Sequence, residues 1–409
     1  MSSTKQANTF PFRRFGGLAR RLRVLFSGLP AHPAFREAKD ESTRLKTIAE
    51  AFFLPALDEA TARPCQRLPG ERETGAAVYS REWDIVERAN PGLAFSEPDP
   101  CGAASGADFA FVWGCGPRPE SLPTLAAALR AGTPVVLCED GFLKSADTWA
   151  NPSVPMRYRR GCSLVMDSRG FYFDATRPTD IERMLEDRAV VVSDEERRAA
   201  RRTINRIVRE KVTKYNHQPV FTPTIGRPGA KKVLVVDQSY GDFSIRRGLA
   251  DESTFEKMLS EAAGENPDAD ILVKTHPDAM TGTRKGYYDG VVQTGRVFRV
   301  TMPVNPYSLL ELVDKVYVCS TQLGFEALMA GKEVHVYGMP FYAGWGLTMD
   351  KLRNPRRTNR RTLEEVFHLF YNVYTRWIDP ETGHRWTVDQ AIDHLVSLRE
   401  EYRRSREGS

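Results

Sequence analysis

Four short strand-like runs in the second half of the chain constrain its fold more than any other feature. They are Val233-Leu234-Val235-Val236, Ile271-Leu272-Val273, Val316-Tyr317-Val318 and Val334 to Tyr337. Each is β-branched and too short to be a helix, and only Val334 to Tyr337, through His335, carries a polar residue. Such runs are strands of a buried, parallel α/β sheet. Helical patterns fall between them. One runs from Gln322 to Ala330 and is closed by Gly331 as a C′ residue. Another is expected to open on a capping box of Ser253 and Glu256. Open α/β sheets bind ligands at the carboxyl ends of their strands. The run at Ile271 ends there in Lys274, Thr275 and His276, with Pro277 stopping it.

The first half alternates in the same manner. Phe109 to Trp113 reads as a strand, Leu122 to Ala131 as a helix closed by Gly132, and Pro134 to Cys138 as the next strand. Ser163 to Met166 and Phe171 to Phe173 are predicted to pair around the turn Asp167-Ser168-Arg169-Gly170. Helix is expected over Asp180 to Glu186 and from Asp194 to about Tyr215, the arginines of the second forming a solvated face. The aperiodic, proline-bearing stretch His217 to Lys232 marks a linker. The tail from Leu363 to Arg404 reads as mainly helical, broken near Asp379-Pro380 and Gly383. The expected organisation is a basic arm over 1–30, an α/β domain over 31–216, a linker over 217–232, a second α/β domain over 233–350 and closing helices over 351–409. That is the GT-B-like pattern: two Rossmann-like domains with a cleft between them and C-terminal helices packing back. Periodicity alone would fit kinases, ligases or epimerases as well, so function must be argued from the site.

With 409 residues, 41% of them apolar and 27% charged, the chain has the composition of a globular enzyme. The net charge of +5 is too mild to imply nucleic acid, and the Arg-rich helix lacks the aromatic interleaving of single-strand binders. Cys65, Cys101, Cys115, Cys138, Cys162 and Cys319 show neither C-x-x-C pairing nor metal spacing, which favours reduced thiols in a cytoplasmic protein. No run approaches a membrane span. The N-terminal FPFRRFGGLARRLRVLF sets Phe15, Leu18, Leu22, Leu25 and Phe26 at helical spacing among five arginines. It fits a peripheral helix on anionic inner-membrane lipid, or an amphipathic helix docked on the fold.

The strings CEDGFLKS, SLVMDSRGFYFDATRP, VLVVDQSYGD, ILVKTHPD, STQLGFEALMAGKEVHVYGMPFYAGWGLT and RWIDPETG carry a resemblance. In this order, from about Val112 to Gly383, they are similar to the capsule-assembly β-Kdo transferases of Gram-negative bacteria, the KpsC type. Glu139-Asp140-Gly141 and His276-Pro277 also resemble the two short motifs of bacterial sialyltransferases, which use CMP-activated acidic sugars. The resemblance implies a retaining glycosyltransferase that moves Kdo from CMP-β-Kdo to a surface glycan or glycolipid. Family members often carry two modules in tandem. This chain has room for one, as in some O-antigen transferases, and the acceptor stays open.

The residue chemistry is compatible with that expectation. A CMP-sugar has a single phosphodiester, so cations and N–H donors suffice, and neither a metal nor a cofactor is expected. Lys274 and His276 are candidate phosphate ligands. Ser320, Thr321 and Gln322 lie where a strand gives way to a helix N-terminus, a position that favours phosphate, although a plain N-cap reads the same way. Glu326 could accept from the ribose or be a solvated helix charge. Tyr337, Gly338, Phe341 and Trp345 could stack cytosine or shape a sugar pocket, or form a tight turn. Retention by double displacement needs a carboxylate nucleophile and a second acid/base group. Asp242 is the expected nucleophile, Asp237 its rival, and Glu139 or Asp140 the partner acting on the acceptor. An Asp in a βα loop also caps helices. The alternatives are another CMP-sugar transferase of sialyltransferase-like character, or a non-catalytic scaffold of a polysaccharide assembly complex.

Overall fold

The computed structural model describes residues 56–62, 68–69, 75–78, 84–96, 107–114, 121–149, 151–280, 282 and 284–407. The expected N-terminal basic arm, Cys65, Cys101 and Cys115 lie outside them. The chain divides into two compact units, one from residues up to Asp84 and Gly92–Val136, the other from Ile85–Pro91 and Leu137 onward.

In the smaller unit three parallel strands stand in the order β3-β1-β2: β1 (Gly75–Val78), β2 (Leu93–Ser96) and β3 (Phe109–Trp113). Helix α1 (Ser121–Ala131) packs on β3, and Leu125, Ala127 and Ala128 are buried.

The larger unit holds two sheets. The end of β4 (Val135–Asp140) pairs antiparallel with β5 (Ser163–Asp167), from Leu137 opposite Asp167 to Asp140 opposite Leu164. The other edge of β5 is taken by β12 (Thr375–Ile378), and β13 (Arg385–Trp386) pairs with β12. Gly141 follows β4 because a Cβ there would lie 2.6 Å from the Ser163 hydroxyl.

The second sheet has six parallel strands in the order β11-β10-β9-β6-β7-β8. They are β6 (Lys232–Val236), β7 (Asp270–Lys274), β8 (Val297–Val300), β9 (Lys315–Val318), β10 (Glu333–Val336) and β11 (Met349–Asp350). All five residues of β7 are buried, as expected of a strand covered on both faces. The molecule is thus a mixed α/β protein of GT-B type.

Several readings are corrected. Phe171–Phe173 is not a strand, because both edges of β5 are already occupied, by β4 and β12. The turn before it is instead tied down by Asp167, whose carboxylate accepts from the backbone N–H groups of Arg169 (2.8 Å) and Gly170 (2.9 Å). The tail is not simply helical. After α9 (Leu363–Phe367), residues His368–Tyr374 wind as a π-helix and the chain then supplies β12 and β13 before α10 (Val388–Glu407). The cap of the helix Glu252–Glu265 is Asp251, reciprocated by Thr254, two residues earlier than Ser253 with Glu256.

The Arg-rich helix, α3 (Asp194–Glu210), stops at Lys211, which adopts the left-handed conformation (φ 52°). Its arginines do not simply face water. Arg197 pairs with Glu365, Arg201 with Glu364, and Arg206 with Asp389 and Asp393, so the helix docks the C-terminal segments.

Candidate functional site

A cleft of about 670 Å³ opens within the larger unit. One wall is built at the carboxyl ends of β6 and β7 and the start of α8 (Leu323–Met329), from Asp237, Lys274, Thr275, His276, Thr321, Gln322 and Glu326. The facing wall comes from Asp147, the segment Thr213 to Pro219, and Tyr402 and Arg406 of α10.

Parallel-strand geometry explains the first wall. β6 and β7 run in register, Val236 opposite Lys274, so their next residues emerge side by side. Asp237 is buried and accepts backbone N–H bonds from Gln238 (2.8 Å), Tyr287 (2.9 Å) and Tyr288 (3.4 Å). Burial nevertheless pushes its carboxyl up to about 6, against those bonds. Lys274 is buried as well, and desolvation brings its ammonium down to about 8, while Glu326 and Asp237 hold it from falling further. Glu326 is no solvated helix charge. It is buried on α8, its carboxyl pushed up to about 7 by desolvation. It accepts from the Thr213 hydroxyl and from the Gln322 amide at 3.2 Å, with Lys274 and Lys214 as its cationic neighbours. His276 Nδ1 lies 3.0 Å from the Ser239 hydroxyl.

Three buried or half-buried groups in one cleft thus exchange protons near neutrality. That is where charge can be matched to a phosphate ester and protons moved with it.

The structure gathers Asp237, Lys274, His276, Thr321, Gln322 and Glu326 at this cleft and sets the other candidates elsewhere. The Ser320 N–H is taken by the side-chain carbonyl of Gln238 (2.9 Å). Asp242 caps the short helix α4 (Phe243–Arg247), accepting from the Ser244 N–H at 2.8 Å. Glu139 and Asp140 end β4 behind the facing wall. Asp140 forms a 2.5 Å ion pair with the buried Lys144. The ammonium of Lys214 is raised, against its burial, by Tyr215 and Tyr172 and then by both acids.

The aromatic candidates pack inward. Trp345 is fully buried, donating its indole N–H to the Phe341 carbonyl at 2.7 Å, and Phe341 stacks on Phe370 at 4.1 Å. Tyr337 turns to the opposite sheet face and donates to Glu261 at 2.6 Å. Gly338 admits close backbone packing, since a Cβ would meet the Cys319 carbonyl at 2.9 Å. The glycine-rich aromatic loop is therefore core.

Lys214, Asp147, His217, Tyr402 and Arg406 went unread in the sequence. Lys214 is hidden because the sequence predicts helix to about Tyr215, whereas the helix stops at Lys211. Tyr402 and Arg406 stand four residues apart on one helix face, the only cue they offered. Among the described residues no group of three or more His, Cys, Asp or Glu side chains is placed to hold a metal, and no helix is long and apolar enough to cross a membrane.

The fold has known counterparts. It matches the Thermosulfurimonas dismutans KpsC β-Kdo 2,4 transferase with a TM-score of 0.71 at 35% identity, covering 79% of this chain and 98% of that one. The β-Kdo 2,7 transferase of the same organism matches with a TM-score of 0.57 at 25% identity, over 80% and 99% of the two chains. In sequence, the capsule polysaccharide modification protein LipA of Neisseria meningitidis (serogroup A) is 37% identical over 305 residues, 72% of this chain. Those residues make up 42% of LipA, so the chain spans about two-fifths of the length of that relative. The model of the capsule polysaccharide biosynthesis proteins matches residues 111–225 and 226–376, and the chain belongs to that family.

Proposed function

We propose that this protein is a glycosyltransferase that moves Kdo from CMP-β-Kdo, with retention, onto a bacterial surface glycan such as a capsule, a glycolipid linker or an O-antigen. The observation that carries the reading is the cleft itself. Lys274 and His276 at the strand ends of an α/β sheet and Lys214 on the facing wall converge on it, in a fold that a β-Kdo transferase shares at 35% identity.

In this reading the lysines and His276 meet the single phosphodiester, and His276 assists departure of CMP. The attacking carboxylate belongs to the loop after β6. Asp237 faces the cleft but is held by three backbone N–H groups, whereas Asp242 carries one such bond and keeps an oxygen for attack. Attack forms a bond from carboxylate oxygen to the anomeric carbon and releases CMP. The acceptor hydroxyl, giving its proton to a general base, then displaces the carboxylate with net retention.

The test is CMP release from CMP-Kdo with a glycan acceptor in EDTA, the product anomer being read by NMR. A β-linked product, and a Kdo-mass adduct on the peptide spanning Asp237 to Asp242, are expected. No consumption of CMP-Kdo by the folded protein, an α-linked product, or dependence on added magnesium would each defeat this reading.

A further inference from the structure

We infer that Arg406, in the last turn of α10, is the carboxylate-binding residue of the cleft and holds the acid group of a sugar substrate. The substrate class rests on the transferase reading; the placement of the residue does not.

Arg406 lines the cleft with an exposed side chain. It is held from one side only, donating to the Tyr402 hydroxyl at 3.1 Å with its guanidinium 5.8 Å from that ring. Among the described residues it makes no ion pair. Its neighbour Arg403, by contrast, is tied to Glu400 and Glu407. The Tyr402 hydroxyl spends its own proton on the buried Asp147, at 2.6 Å, and so accepts from Arg406. Asp147 is in turn fixed by the Thr148 N–H (2.6 Å) and the Asn151 amide (3.2 Å), with His217 at 3.5 Å. The Tyr402 ring packs edge-on against Tyr158 at 5.1 Å. A chain of hydrogen bonds from the buried Asp147 thus sets the direction of an exposed guanidinium.

The cleft offers two kinds of cation. Lys214 and Lys274 are point charges, suited to a phosphate that presents oxygens in several directions. Arg406 presents a planar fork, the geometry that matches a carboxylate two bonds at a time. A sugar acid activated as a phosphodiester carries both groups, and an acidic acceptor carries the second alone.

The experiment compares the wild type with Arg406→Gln, Arg406→Lys and Tyr402→Phe. Calorimetry measures binding of CMP and of free Kdo, and kinetics give KM for CMP-Kdo and for the acceptor. CMP has no carboxylate, so its affinity should be the same in all four proteins. Arg406→Gln should weaken free Kdo and raise one KM about ten-fold or more, as losing a charge-assisted bond does. Arg406→Lys should fall between, and Tyr402→Phe should raise the same KM with kcat kept. A rise in the donor KM assigns the donor's carboxylate, and a rise in the acceptor KM the acceptor's. Unchanged Kdo affinity and KM values in Arg406→Gln, or a CMP affinity that falls in step with them, would overturn the inference. A wild type that binds Kdo through Arg406 yet never consumes CMP-Kdo would sustain it while the transferase reading falls.

Discussion

Lys274 and His276 were legible as strand-end residues, and they line the cleft, because a buried strand fixes where its end lies and the sequence displays both the strand and the residues that follow it. Glu326 read two ways in sequence, as an acceptor for the ribose or as a solvated helix charge, and its burial removes the second. A glutamate one turn into a helix reads as solvated, and only the close approach of Thr213 from a distant segment shows it to be buried. Its placement beside Lys274 has a kinetic consequence. Lys274 must be cationic to meet a phosphate, and burial has already brought it down to about 8. Turnover should therefore fall as pH rises through about 8. The Glu326 anion holds the Lys274 value up, so Glu326→Gln should move this alkaline limb to lower pH, by about one unit for a removed neighbouring charge. Lys274→Arg should flatten the limb, since a guanidinium stays protonated there. Profiles of kcat/KM against pH for the three proteins check this, and a limb that stays in place in Glu326→Gln would show that Lys274 does not set it.

Elements were read where one physical cause acted alone. The four central strands of the second sheet, β6, β7, β9 and β10, follow from their buried apolar runs, and α8 from its periodicity and the glycine that ends it. Elements that depend on a partner far along the chain were not read. β12 is a strand because β5 offers an edge, and nothing in Thr375–Ile378 announces that edge. The glycine-rich loop failed for a related reason, because aromatics among glycines look the same whether they face a ligand or stack on Phe370. The helix α4 is where local structure and chemistry overlap, since Asp242 both caps it and is the proposed nucleophile. Substitution separates the two. Asn is as good a cap as Asp, whereas Ala costs about 1 kcal/mol. Asp242→Asn should therefore melt with the wild type and release no CMP, while Asp242→Ala should be both less stable and inactive. An active Asp242→Asn would leave Asp242 as a cap only and pass the attack to Asp237.

At the scale of the whole molecule, the site is assembled from stretches distant in sequence: Asp147 to Asn151, Thr213 to Pro219, Lys274 to Pro277, Thr321 to Glu326, and Tyr402 with Arg406. This is why the α/β fold could be read from the sequence while only one wall of the cleft could. Periodicity reports what each stretch does locally, and the facing wall exists only because α3 ends at Lys211 and α10 packs back against it. A ligand bridging these stretches must stabilise them together. Binding to the native state alone adds about 2.7 kcal/mol at a hundred times Kd. CMP should therefore raise Tm, and should slow backbone hydrogen exchange in the Thr213, His276 and Thr321 stretches by a common factor. The Tyr402 and Arg406 end of α10 should gain less, because CMP lacks the acid group assigned to Arg406, and CMP-Kdo should bring it to the level of the others. Protection confined to a single stretch would mean that the nucleotide binds one wall without spanning the cleft, and the division of labour between the lysines and Arg406 would have to be abandoned.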